Sequence, residues 1–307
     1  MTLAAVLALP ALGQIEQKHP ELCGKPGGLA PAPANVAVVT SRDEHSEISI
    51  TLSHSLAKLP IYGQIRQVCP VGADKIAIFS TFYGSVVNDV YLLDGKTGVV
   101  LDDVLADDAL ISPDQRWLAY RTHVVPQSEV SQSDEYLLYD LSKGPDENRA
   151  PTSDTYKGRV MYPVVPGNAP FDNFGLPDDQ VHTFHADSFY WAPDSKSVVF
   201  ADAVLGQQSL VVIRIGNGGE LTAHVRPVTS PEICSAPSVP DRLYLRLSNA
   251  SVSTATDGTW RITADFRVPN TTCAPREVVY YSGEFKPAAV ETHAPPPLKK
   301  KAVGKKR

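Results

Sequence analysis

Two stretches of this chain read almost alike: LISPDQRWLAYRTH at Leu110–His123 and FYWAPDSKSVVFAD at Phe189–Asp202. Each is followed, after a gap, by a second apolar run ending in a glycine turn. The runs are EYLLYDLSKG at Glu135–Gly144 and SLVVIRIGNGG at Ser209–Gly219. A looser copy runs VCPVGADKIAIFST at Val68–Thr81, then DVYLLDGKTG at Asp89–Gly98. The shared plan is a short strand, a tight turn, an apolar strand, a variable loop and a second apolar strand. In Ser112-Pro113-Asp114-Gln115 and Ala192-Pro193-Asp194-Ser195, proline fixes φ at the first turn position and the aspartate side chain caps the turn. Lys143-Gly144 and Asn217-Gly218 are expected to reverse the chain with positive φ. One such unit is too small to cover its own two faces, so copies must stack.

The motif S/A-P-D-x-x-x-L/V-A/V-Y/F, followed by an apolar strand and a glycine turn, resembles the TolB-like, WD40-like β-propeller repeat over about residues 64–220. The resemblance implies an all-β fold of four-stranded antiparallel blades. At about 40–45 residues per blade there is room for five or six, with six favoured. A β-sandwich or an open partial propeller is the alternative. Strand-like alternation elsewhere supports the same class. Glu47–Ser53 alternates polar and apolar residues, and no segment keeps an apolar helical period over three turns. Trp117 and Trp191 read as packing residues between blades.

The chain has 307 residues, 43% hydrophobic and 20% charged, with 26 prolines and 20 glycines, a globular and turn-rich profile. The expected divisions are a signal peptide at 1–13, an extended segment at 14–34, a propeller-like domain at 35–287 and a tail at 288–307. The apolar run Leu3–Leu12, with small residues before Gln14, fits a secretory signal, though no Lys or Arg precedes it. It is too short to span a bilayer, which takes about 20 apolar residues. Cys23, Cys69, Cys234 and Cys273 form no CxxC pair, which excludes a zinc ribbon and a thioredoxin-type motif. Of the three possible pairings, Cys23–Cys69 and Cys234–Cys273 join neighbouring segments and are favoured. Export and disulfides together point to a periplasmic or secreted protein.

The net charge is −6, and the last nine residues carry six positive charges (Lys299, Lys300, Lys301, Lys305, Lys306 and Arg307), leaving −12 on the rest. An acidic body speaks against nucleic acid as a partner. The tail, beyond Pro295-Pro296-Pro297, is a candidate contact for an anionic membrane surface.

Catalytic motifs are missing: there is no G-x-S-x-G, no phosphate-binding glycine loop and no H-E-x-x-H. Residues 151–187 interrupt the repeat, and long insertions on a rigid β scaffold tend to carry binding surfaces. Phe171, Phe174 and Phe184 are its candidate partner contacts. His182, His185 and Asp187 are candidate zinc ligands, and Asp172, Asn173, Asp178 and Asp179 candidate calcium ligands. No cofactor is otherwise expected. Asp102, Asp103, Asp107 and Asp108 offer paired carboxylates for glycoside chemistry, but they read as a solvated linker before a blade. The expectation is a monomeric, non-catalytic binding or scaffolding protein of the cell envelope; the alternative is a propeller glycosidase or metal-dependent hydrolase.

Overall fold

The computed structural model describes residues 23–24, 36–40, 45–51, 56–81, 88–106, 108–124, 133–148, 157–162, 190–204, 207–229, 246–267, 274 and 276–288. Antiparallel strands follow one another in five sheets. The first is β1 (Val36–Thr40), β2 (His45–Thr51) and β3 (Leu56–Tyr62); the second is β4 (Gln64–Val71), β5 (Lys75–Thr81), β6 (Asn88–Asp94) and β7 (Val100–Ala106). The third holds β8 (Asp108–Ile111), β9 (Trp117–Val124), β10 (Ser133–Asp140) and β11 (Arg159–Tyr162). The fourth holds β12 (Tyr190–Trp191), β13 (Ser197–Val204), β14 (Gln207–Ile215) and β15 (Leu221–Pro227). The fifth holds β16 (Arg246–Thr254), β17 (Trp260–Arg267) and β18 (Arg276–Tyr281). A final strand, β19 (Lys286–Pro287), crosses back and pairs with the outer edge of β15, Val225 opposite Lys286 and His224 opposite Pro287.

The sheets stack in series because their middle strands are apolar on both faces. In the second sheet, Ile65, Val68, Ile76, Ile78 and Leu93 pack with Ile48 and Ile61 of the first. The alternate residues, Val71, Ala77, Phe79, Val90, Leu92 and Val104, pack with Ile111, Leu118, Tyr120, Leu137 and Tyr139 of the third. The other face of the third sheet, with Trp117, Ala119, Tyr136 and Leu138, joins the fourth and fifth sheets in one cluster. This period-2 division of each strand between two neighbours is blade packing, not the single inner face of a sandwich. Among the described residues no apolar cluster joins the fifth sheet to the first.

The Pro-Asp turns form as the sequence suggests. Asp114 Oδ1 accepts from the Arg116 amide at 3.1 Å, and Asp194 Oδ1 from the Lys196 amide at 2.9 Å. The next residues, Gln115 and Ser195, have φ of 61° and 58°, the left-handed region that disfavours side chains. Both side chains reach the turn of the preceding sheet. Gln115 Oε1 accepts from the Gly72 amide at 3.0 Å, and Ser195 Oγ from the Asp114 amide at 2.9 Å. The inter-sheet hydrogen bonds offset the backbone cost. The fifth sheet repeats the turn as Ala255-Thr256-Asp257-Gly258, with Asp257 Oδ1 accepting from Thr259 at 2.8 Å and φ of 84° at Gly258. That copy escapes the sequence pattern because threonine stands where proline stood.

Two expected turns differ. The positive φ falls at Gly219, not Gly218, and Gly144 has none. The chain instead leaves β10 through a short helix, α1 (Pro145–Asn148), whose Asn148 side chain bonds both the amide and the carbonyl of Asp140 at 2.9 Å. Trp117 is buried, and Trp191 Nε1 donates to the Leu110 carbonyl at 3.1 Å across the sheet boundary, as packing residues should.

Cys23 and Cys69 form a fully buried disulfide that pins the N-terminal segment to β4, as the pairing argument expects. Cys234 and Cys273 lie outside the described residues. Replacing Cys23 and Cys69 by serine should cost about 2–4 kcal/mol, read by urea unfolding against the unreduced protein. Ser195→Ala should cost about 1 kcal/mol for the lost bond to Asp114; Ser195→Gly should cost less, because glycine relieves the left-handed backbone. Paired unfolding curves check that order.

Candidate functional site

Of the candidate catalytic, metal-binding and partner-contact residues read from the sequence, only Asp102, Asp103 and Asp108 fall among those described. His182, His185 and Asp187, Phe171, Phe174 and Phe184, Asp172, Asn173, Asp178 and Asp179, Asp107, and the basic residues 299–307 all lie outside them. Among the described residues no cluster of three or more His, Cys, Asp or Glu is arranged to hold a metal ion.

Asp102 and Asp103 do not lie in a linker. They sit in β7, the outer strand of the second sheet, and being adjacent on a strand they face opposite sides. Asp102 points toward the third sheet, its side chain only 6% exposed. Its Oδ2 accepts from Tyr139 Oη at 2.7 Å, and its Oδ1 meets the Lys157 ammonium at 2.5 Å. Lys157 also reaches Asp103 Oδ1 at 2.9 Å. An ammonium therefore fills the space between the two carboxylates, where glycoside chemistry would need substrate. The pair is a bolt between sheets, not an acid–base couple.

The third sheet holds Lys157 in place. Tyr120 Oη donates to the Lys157 carbonyl, and the Gly158 amide donates to the Asn148 carbonyl. Gly158 has φ of 96°, and a Cβ there would lie 2.5 Å from the Leu138 carbonyl oxygen, so only glycine fits. Burial pulls the Lys157 ammonium down, but its hydrogen bonds to Asp102 and Asp103 outweigh that and hold it above the usual lysine range. Burial first, then the bond to Asp102, pushes the Tyr139 phenol far up, so it stays a donor. Burial raises Asp89 of β6 as well, with the Asp103 charge adding to it.

The same bolt touches the backbone of β7. The Asp103 amide donates to Asp102 Oδ1 at 3.0 Å, and the Asp103 carbonyl accepts from Lys157 Nζ. Among the described residues β7 has β6 as its one strand neighbour. On the other face of β7 Leu101 is 36% and Leu105 59% exposed on either side of Asp103, and Val99, just before the strand, is 58% exposed. Exposed apolar residues scattered singly are ordinary; here they gather on an outermost strand. The sequence hides them, because two adjacent aspartates break the alternation that would have revealed a strand.

A second cluster lies where the fourth and fifth sheets meet. The His224 ring is 5.4 Å from that of Trp260, which packs on Phe285 at 5.0 Å. The Arg226 guanidinium lies 4.1 Å over Tyr280, and that of Arg214 5.6 Å from Trp260. Burial, then the Arg214 charge, holds His224 below its ordinary value of 6.5.

No family model matches the chain, and no curated protein matches it. Among solved structures, it is similar to the β-propeller domain of the Trilobed protease from Pyrococcus furiosus, at 10% identity over 83% of this chain and 79% of that one, with a TM-score of 0.30. TolB from Acinetobacter baumannii shares 15% identity over 77% of this chain and 48% of its own, at a TM-score of 0.32. Oligopeptidase B from Leishmania major shares 10% over 80% and 37%, at 0.35. The chain thus spans less than half the length of the last two. Superpositions this loose carry no argument; the architecture rests on the sheet order and packing above.

Lys157→Met leaves a buried carboxylate without its cation and should cost about 3–5 kcal/mol, most of it recovered in Asp102→Asn/Lys157→Met; urea unfolding of both variants checks this. His224 is depressed in the folded state, so as pH falls below 6.5 the unfolded chain takes up its proton first and stability drops. His224→Gln should flatten that loss, seen in melts at about pH 7.5 and about pH 5.

Proposed function

We propose that this chain is an exported, non-catalytic binding protein of the cell envelope that presents the outer surface of its propeller sheets to a protein partner. The observation that carries the reading is the exposure of Leu101 and Leu105, which flank Asp103 on one face of β7, with exposed Val99 just before the strand. A surface of that kind gains from being covered, at about 25 cal/mol per Å² of apolar surface, and sheets of this rigidity hold it in fixed register. The buried Cys23–Cys69 disulfide supports an oxidising compartment. In this reading residues 151–187, with Phe171, Phe174 and Phe184, extend the contact surface, and the basic tail adds attraction to an anionic membrane.

A photo-reactive phenylalanine analogue at Leu105 should cross-link one discrete partner in source cells. The same group at Ser253, an exposed position on β16, should not. Leu101→Gln should abolish the Leu105 product while leaving the melting temperature within about 2 °C, as for a surface change. Equal cross-linking from both positions, or a product indifferent to Leu101→Gln, would contradict the assignment.

A further inference from the structure

Among the described residues the outer edge of β7 pairs with no strand and is guarded at Asp103, and the guard is chemically specific. Asp103 turns its backbone to the outer edge, where its carbonyl meets Lys157 Nζ and its amide is taken by Asp102 Oδ1; at period two Leu105 turns outward with it. The Asp103 amide and carbonyl are what an added strand would need. Lys157 thus occupies the edge as a partner residue would: one ammonium bound at once to a β7 carbonyl and to the carboxylates of Asp102 and Asp103. The molecule also shows that an outer edge of this fold accepts an added strand, because β19 pairs antiparallel with β15 of the fourth sheet.

We infer that β7 is a gated strand-addition site for an extended basic segment of a partner, whose own Lys or Arg displaces Lys157 from Asp102 and Asp103. This rests on β7 being the binding surface proposed above. Charge decides the occupant. With Lys157 displaced, the edge presents Asp102 and Asp103 beside Asp89, and the body outside the tail carries −12. A second copy would bring the same carboxylates against them, whereas an incoming cation replaces the one lost. Apolar residues alternating with that cation would cover Leu101 and Leu105.

The guard makes an uncommon prediction: removing a lysine should strengthen binding to a basic peptide, because the internal competitor is gone. The probe is the synthetic peptide TVKVKVT, compared with TVEVEVT and with TVKVKVT methylated on alternate amides to block strand pairing. The wild-type chain should bind TVKVKVT weakly, with amide protection gained only in residues 99–106. Lys157→Met should bind it about tenfold more tightly, and neither control peptide should bind either protein comparably. Where Lys157→Met does not fold, Lys157→Gln, which keeps both carboxylates, supplies the reading, and it must bind TVKVKVT more tightly than wild type.

The inference is overturned if neither variant gains affinity, or if the methylated peptide binds as well. It is overturned in favour of self-association if Lys157→Met alone doubles in mass by light scattering. Deleting residues 295–307 from the wild type should leave peptide affinity unchanged; a gain would make the chain's own tail the occupant instead. If Leu105 cross-links a partner in cells while no peptide responds to Lys157, strand addition fails and the binding role stands. If neither occurs, both fail.

Discussion

Strands β5, β9, β10, β13 and β14 are apolar on both faces over most of their length, and this two-sided burial dictates the rest of the structure. A sheet with such strands at its centre needs a neighbour on each side. The chain supplies them in sequence order, so each sheet packs on the one before it and the one after. Outer strands escape the requirement. They need cover on one side only, and there the sequence is free to place either charge or a contact surface. In β15 the outer edge is occupied by β19; in β7 it is left to Lys157.

The parts legible in the sequence are those encoded locally. The Pro-Asp turns, the apolar strands and their period of two need only a dozen residues each, and they sufficed for the all-β class and its repeat. The disulfide between Cys23 and Cys69 followed from neighbouring segments. What failed to show was non-local or disguised. Lys157 lies 55 residues from Asp102, inside a stretch that breaks the repeat, so nothing in the local pattern joins them. Two consecutive aspartates make β7 look like a solvated linker, although one of them is among the most buried charges described. The fifth sheet repeats the turn with Thr256 in place of proline, and its glycine removes the side chain that elsewhere ties one turn to the last.

The contacts between sheets sit on these exceptions. The left-handed Gln115 and Ser195 store backbone strain that two inter-sheet hydrogen bonds offset, which fixes the inner hairpins against one another. The Asp102–Lys157–Tyr139 bolt does the same at the outer rim, where it also shields the backbone of β7. A buried ion pair is seldom a gain over apolar packing. Here it serves a second end, closing an edge that would otherwise pair without selection while keeping an acidic address for a basic segment.

Hydrogen exchange along the free, wild-type chain tests the central claim most directly. If β7 is an outer strand held by β6 on one side only, its outward amides, that of Leu105 among them, will exchange much faster than those of Lys75–Thr81 in the middle of the same sheet, while the alternate amides bonded to β6 stay protected and Asp103 is the slow outward exception. Uniform protection of β7 equal to that of β5 would mean that another strand already covers the edge, and the account of β7 as an open, guarded surface would be wrong.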